Sequence, residues 1–279
     1  MRIRNQGARE FCAEFLGTMI LIIIGDGSVA QSVLSSETAG AFHSVNWAWG
    51  LAVAMGVWVS VGVSGGHINP AVTLTMCILR KCPWKKLLPY WLAQYLGAFA
   101  GAAVVYGVYY DALNAFDGGV RQVDGINGTA GIWATYPKEF LSAESGFGDQ
   151  LVGTAMLVCL VMAITDKRNA NIPSGIQPLC IGLVVVAIGM SFGFNCGYAI
   201  NPARDLGPRV LTAIAGWGDE VFTYRDYNWF WVPLAGPHVG AMVGAALYEW
   251  LVGLHFPDEE EYMFNNEPPH ELNQCEFLF

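Results

Sequence analysis

The chain carries the same ordered set of segments twice, and each copy crosses an apolar phase an odd number of times. Six long apolar runs, at residues 11–33, 44–63, 87–110, 149–164, 177–194 and 229–254, fall into two groups of three. Each group contains one further apolar stretch too short to cross, 69–79 in the first and 201–214 in the second. The copies match in detail. Glu14-Phe15-Leu16-Gly17-Thr18 parallels Gln150-Leu151-Val152-Gly153-Thr154, and Gly50-Leu51 stands as far before Asn69 as Gly182-Leu183 stands before Asn201. Gly97-Ala98-Phe99-Ala100-Gly101 parallels Gly240-Ala241-Met242-Val243-Gly244, with small residues four apart that let neighbouring helices approach closely. A unit with an odd number of crossings cannot repeat without inverting, so the second copy must lie upside-down relative to the first.

That the apolar phase is a bilayer follows from composition. Hydrophobic residues make up 54% of 279, charged residues 13%, and the mean hydropathy is +0.39. Most of the six runs suit a hydrocarbon core of about 30 Å, which about 20 helical residues span. The fourth run is short and polar at its start. The expected fold is an all-α membrane protein with six transmembrane helices, two re-entrant half-helices and an inverted internal repeat.

Each short stretch opens on Asn-Pro-Ala, at Asn69-Pro70-Ala71 and Asn201-Pro202-Ala203. Proline at a first helical position has its φ pre-set and no N–H to satisfy, so each triplet marks a helix start. Inversion makes the two starts face each other near the midplane. Helix N-termini leave N–H groups unpaired and carry about half a positive charge. Two such ends at one place repel cations and protons, while the Asn69 and Asn201 amides can donate to a passing hydroxyl. The backbone leading into each triplet must be non-helical at membrane depth, which is tolerated where it lines a wet cavity. This predicts a ladder of pore-facing carbonyls at Gly65, Gly66, His67 and Ile68, and at Gly197, Tyr198, Ala199 and Ile200. Arg204 follows the second triplet directly; a guanidinium there either lines the pathway or pairs with Asp205, and the pathway is the stronger reading.

The positive-inside rule puts both termini in the cytoplasm, because Arg2, Arg4, Arg9, Arg80, Lys81, Lys85, Lys86, Lys167 and Arg168 then share that side. The expected organisation is a cytoplasmic N-terminus at 1–10, a first repeat at 11–110, an extracellular connection at 111–148, a second repeat at 149–254 and an acidic cytoplasmic tail at 255–279. The connection holds an Asn-x-Thr acceptor at Asn127, a candidate glycosylation site. The first run is long enough to remain a membrane helix, so no separate cleavable signal is expected. Seven cysteines, an odd number, argue against a disulfide framework, and neither they nor the five histidines show metal-ligand spacing. No metal, cofactor, enzyme activity or nucleic-acid partner is expected.

With both triplets, Arg204 and the duplicated unit in hand, the chain resembles the aquaporin family over nearly its whole length. The run Asn201-Pro202-Ala203-Arg204-Asp205-Leu206-Gly207-Pro208-Arg209 is similar to its glycerol-conducting branch, the animal aquaglyceroporins, and Tyr109, Asp205, Arg209, Pro233 and Leu234 match the branch-distinguishing positions. The resemblance implies a selectivity filter at Trp49, Gly189, Tyr198 and Arg204. Gly189 would widen it, Trp49 and Tyr198 would form an apolar corner for CH groups, and Arg204 would meet hydroxyls. It implies a homotetramer in the plasma membrane, with glycerol, water and urea as solutes and the lipid bilayer as surroundings. A water-selective channel is the alternative, and an inverted-repeat secondary transporter a more distant one.

Three positions depart from the family. Gln150 replaces a buried glutamate, the aromatic at Trp49 is variable, and Asp26 is unusual; it is expected in the outer vestibule or at a subunit contact, outside the filter. His67, at the cytoplasmic approach, is a candidate pH sensor or a fixed hydrogen-bonding member of its loop.

Overall fold

The computed structural model describes residues 2–257, and among these its regular elements are all helices. The expected tail lies mostly outside them. Five helices are long and apolar enough to cross a membrane: α1 (Gln6–Leu34), α2 (Phe42–Ser64), α4 (Leu87–Val108, entered through a 3-10 turn at Trp84–Lys86), α6 (Ala143–Thr165) and α7 (Gln177–Cys196). The sixth, α10 (Val232–Leu251), has the length, but Pro233, Gly236, Pro237 and His238 dilute its apolar character. Two half-helices, α3 (Pro70–Ile78) and α8 (Pro202–Thr212), complete the repeats. The fourth run begins earlier than its apolar stretch, because Ser142 caps α6 by accepting from the Ser145 N–H at 3.1 Å and the polar first turns are helical too.

Packing follows the duplication. α1 lies against α2 and α4 as α6 lies against α7 and α10, while α2 meets α7 across the seam. The half-helices are exchanged: α8 packs on α4 of the first repeat, and α3 on α10 of the second. Glycines set the distances. A Cβ on Gly97 or Gly101 would strike the carbonyl of Phe15 or Met19, and on Gly240 or Gly244 that of Leu151 or Ala155. Gly50 and Gly182 face each other's carbonyls in the same way.

The segment 111–148 is more than a surface connection. It contains α5 (Tyr110–Asp117) and a 3-10 turn at Ala130–Ile132, then sinks between the helices, with Ala130, Ile132, Trp133 and Ala134 all fully buried. A further short helix, α9 (Glu220–Thr223), lies beyond the π-type turn at Ala213–Trp217. We call the side bearing residues 34–42 and this segment the loop face, and the opposite side, where Lys86 bonds Glu10 at 2.9 Å, the terminal face.

Candidate functional site

The approaches to the half-helices are built alike. α2 ends at Gly65 in the left-handed region and α7 at Gly197, also at positive φ. Each approach then closes on an isoleucine with positive φ, Ile68 at 44° and Ile200 at 40°. For a β-branched side chain that conformation costs about 1–3 kcal/mol, so something must hold it. At Ile68 the holder is Glu14, whose Oε2 accepts from the Ile68 N–H at 2.7 Å and from Gln94 Nε2 at 2.8 Å, and whose Oε1 accepts from the His67 N–H at 3.0 Å and the Ser64 hydroxyl. Hydrogen bonds to a charged acceptor contribute about 1.5–3 kcal/mol each, enough to offset the strain. At Ile200 the holder is Gln150, whose Oε1 accepts from the Ile200 N–H at 3.0 Å and whose Nε2 donates to the Gly197 carbonyl at 3.0 Å.

Asn69 and Asn201 cap their helices and brace each other's loops. Asn69 Oδ1 accepts from the Ala71 N–H at 2.9 Å while its Nδ2 donates to the Ile200 carbonyl at 2.9 Å. Asn201 Oδ1 accepts from the Ala203 N–H at 3.0 Å and its Nδ2 donates to the Ile68 carbonyl at 2.8 Å. An amide has two N–H donors, so each Asn keeps one for the cavity that both line. The Ile68 and Ile200 carbonyls are thus partly committed within the protein, as is that of Gly197, and Gly66, His67, Ile68, Tyr198, Ala199 and Ile200 all line the cavity.

Three cavities follow one another through the molecule. A vestibule of about 450 Å³ opens at the loop face. It shares Trp49, Tyr198 and Arg204 with an inner cavity of about 70 Å³ that passes both asparagines. That cavity shares Gly66, His67, Val72 and Ile181 with a mouth of about 140 Å³ toward the terminal face. The middle cavity is the smallest of the three. The duplication extends to the walls: the shift that carries Asn69 onto Asn201 also carries Trp49 onto Ile181, Gly66 onto Tyr198 and Val72 onto Arg204. One end of the passage is therefore aromatic and cationic where the other is aliphatic and glycine-lined. That repeat shift was a signal through which Val72 and Ile181 could have been found from sequence.

At the loop-face end, the Arg204 guanidinium lies over Trp49, 4.1 Å from the ring centroid, and Nη1 donates to the Trp133 carbonyl at 2.7 Å. Trp49 and Arg204 therefore lie against each other. Gly189 differs from expectation. The room it leaves is filled by the Tyr198 ring, whose Cζ would sit 2.5 Å from an added Cβ, so Gly189 lies behind the wall. The Tyr198 hydroxyl donates to Asn46 Oδ1. Asn46 and the Trp133 carbonyl were not evident in the sequence, because nothing local links them to residues so distant along the chain.

Asp26 corrects the expectation of a vestibule or subunit position: it is fully buried, with Oδ1 3.7 Å from Arg204 Nη1. Arg204 does not pair with Asp205. Asp205 accepts on Oδ1 from Arg209 Nε at 2.9 Å and on Oδ2 from the Thr135 N–H at 2.8 Å. Arg209 donates onward to the carbonyls of Thr135 at 2.7 Å and Val221 at 2.8 Å. This pair anchors the inward-dipping segment and so places the Trp133 carbonyl beneath Arg204. Asp205, Arg209, Tyr109 at the end of α4, and Pro233 and Leu234 in the first turn of α10 all lie away from the walls of the three cavities.

His67 Nδ1 is 3.1 Å from Thr73 Oγ1. The Thr73 hydroxyl gives its one proton to the Asn69 carbonyl at 3.0 Å, so it accepts from both Gln94 and His67. The proton of a neutral His67 therefore sits on Nδ1, leaving Nε2 to face the passage. Asn127 is half-exposed in the connecting segment, while the hydroxyl of Thr129 is buried and accepts from Trp217 Nε1 at 3.2 Å.

The sequence and the fold both have counterparts among known proteins. Residues 2–248 match the family described as Major intrinsic protein. The chain is 50% identical over 284 residues to Aquaporin-10 of Milnesium tardigradum, covering 98% of this chain and 69% of that one. It is 48% identical over 265 residues to human Aquaporin-9, covering 95% and 89%. The X-ray structure of the aquaglyceroporin from Plasmodium falciparum superposes with a TM-score of 0.80 at 33% identity, covering 89% of this chain and 98% of that one.

Proposed function

The chain belongs to the major intrinsic protein family, and we propose that the passage through it carries glycerol, water and related small neutral solutes passively while turning back ions and protons. It is a membrane channel and not an enzyme. The observation that carries the ion barrier is the crosswise pairing of Asn69 and Asn201, which fixes two positive helix ends against one short stretch of lumen. A hydroxyl passing there accepts from the two remaining amide N–H groups, so a file of waters reverses its hydrogen-bond direction and cannot relay a proton.

Trp49, Tyr198 and Arg204 form the selectivity filter, with Gly189 as the seat of the Tyr198 ring. A polyol has a CH edge and an OH edge; the aromatic faces receive the first, while Arg204 and lumen-facing carbonyls bond the second. Asp205 and Arg209 support glycerol conduction indirectly, through the segment that positions Arg204, and Tyr109, Pro233 and Leu234 act through packing. Urea, with its planar set of donors and acceptors, is a further solute. The terminal face is cytoplasmic, in accord with its basic residues, and the protein works as a homotetramer in the plasma membrane. Leu16, Leu51 and Met55, apolar and outward-facing on α1 and α2, suit a lipid or subunit contact. Asn127 is the glycan acceptor. His67 is a fixed member of its loop, held by Thr73, and its titration is the point to test.

The test is osmotic. Liposomes holding the purified protein are mixed with hyperosmotic glycerol and followed by light scattering. They are expected to shrink and then recover volume far faster than protein-free liposomes, with no change in an internal pH dye under an imposed proton gradient. Fast shrinkage without accelerated recovery would mean a water-selective channel.

A further inference from the structure

Asp26 is the one carboxylate among the described residues with both oxygens buried and neither hydrogen-bonded. A carboxylate buried in that way keeps its charge only where a cation faces it closely enough to outweigh the lost solvation. The nearest cation is Arg204, at 3.7 Å, beyond hydrogen-bond length but well within Coulomb reach. Asp205 and Arg209 satisfy each other, which leaves Asp26 as the counter-charge of Arg204. The preceding residue completes the arrangement: a Cβ on Gly25 would fall inside the indole of Trp49, so α1 seats Trp49 with one residue and faces Arg204 with the next.

Resting on the reading of Trp49, Tyr198 and Arg204 as the filter, we propose that Asp26 is a positioning and charge-balancing residue. It cancels the formal charge of Arg204, so the filter offers N–H donors to neutral solutes without becoming an anion site. The need is physical. Beyond the filter lie two positive helix ends, which already reject cations but would draw anions inward. An uncompensated guanidinium at the entrance would continue that attraction, and Asp26 interrupts it. The charge order along the path is then a neutral donor set followed by a positive midplane, a combination that disfavours ions of either sign.

The full chain in liposomes, as wild type, Asp26→Asn, Asp26→Ser and Asp26→Glu, and with Asp26→Asn also placed on Arg204→Val, provides the test. Glycerol flux is read by light scattering, and nitrate influx is read under a potassium–valinomycin clamp. Asp26→Asn and Asp26→Ser are expected to raise nitrate influx roughly tenfold, and Asp26→Glu to keep it near wild type. On Arg204→Val, Asp26→Asn is expected to add nothing. Nitrate influx unchanged in both neutral variants, or raised equally on the Arg204→Val background, overturns the proposal. Wild-type liposomes that pass no glycerol would instead overturn the channel reading beneath it.

Discussion

Glu14 and Gln150 occupy the same place in the two repeats, yet Glu14 takes four donors as an anion whereas Gln150 takes one and donates onward to the Gly197 carbonyl. The two half-helix approaches are therefore held by different chemistry within the same geometry.

Glu14→Gln would make the two repeats identical at this point, and it is expected to be harmful. A glutamine offers one acceptor oxygen, so some of the His67, Ile68, Ser64 and Gln94 donors would face an NH₂ group. The loss is expected to be about 3 kcal/mol, since buried donors left unpaired cost 1–3 kcal/mol each. Thermal unfolding of the purified protein in detergent, falling by roughly 5–10 °C, is the measurement.

Gly189→Ala places a methyl group 2.5 Å from Tyr198 Cζ and 2.6 Å from Asn46 Oδ1. The Tyr198 ring has nowhere to go except toward the lumen. Glycerol flux is expected to fall roughly tenfold, with water flux reduced less, because the wider solute meets the ring first. Equal losses for both solutes would show that the ring had not moved into the passage.

Arg209→Lys keeps the charge beside Asp205 but cannot also reach the Thr135 and Val221 carbonyls as the planar guanidinium does. Freed carbonyls and a looser segment at 133–135 are expected to cost about 2–3 kcal/mol. Because the Trp133 carbonyl accepts from Arg204, the glycerol-to-water permeability ratio should change as well, although Arg209 lies outside the passage. Paired swelling measurements on the two solutes check this.

His67 is expected to give a flat response. Glycerol flux compared across pH 5 to 8 in the wild type and in His67→Asn should vary by less than about twofold in both, since Nδ1–H can donate to Thr73 in the neutral and the protonated ring alike and so keeps the imidazole in place. A pH-dependent wild-type flux that disappears in His67→Asn would instead make the ring a sensor.

The parts readable in the sequence are those with a local physical signature. Pro70 and Pro202 mark helix starts whatever surrounds them, and the apolar runs mark the crossings, five of them by length and composition alone and the sixth by its place in the repeat. The inversion follows from counting. What the sequence did not disclose depends on partners far along the chain: the bond from Asn69 to the Ile200 carbonyl, the seat of Tyr198 on Gly189, and the burial of Asp26 beneath Arg204. Segment 130–134 reads as an ordinary connection because its inward turn is imposed by Asp205 and Arg209, not by its own periodicity.

The reciprocal bonds at Ile68 and Ile200 act as a keystone. Neither half of the molecule owns a finished aperture: Glu14 and Gln150 hold the strained turn of their own half, and Asn69 and Asn201 tie each turn to the opposite half-helix. Shutting the channel at its waist would mean dismantling both halves at once.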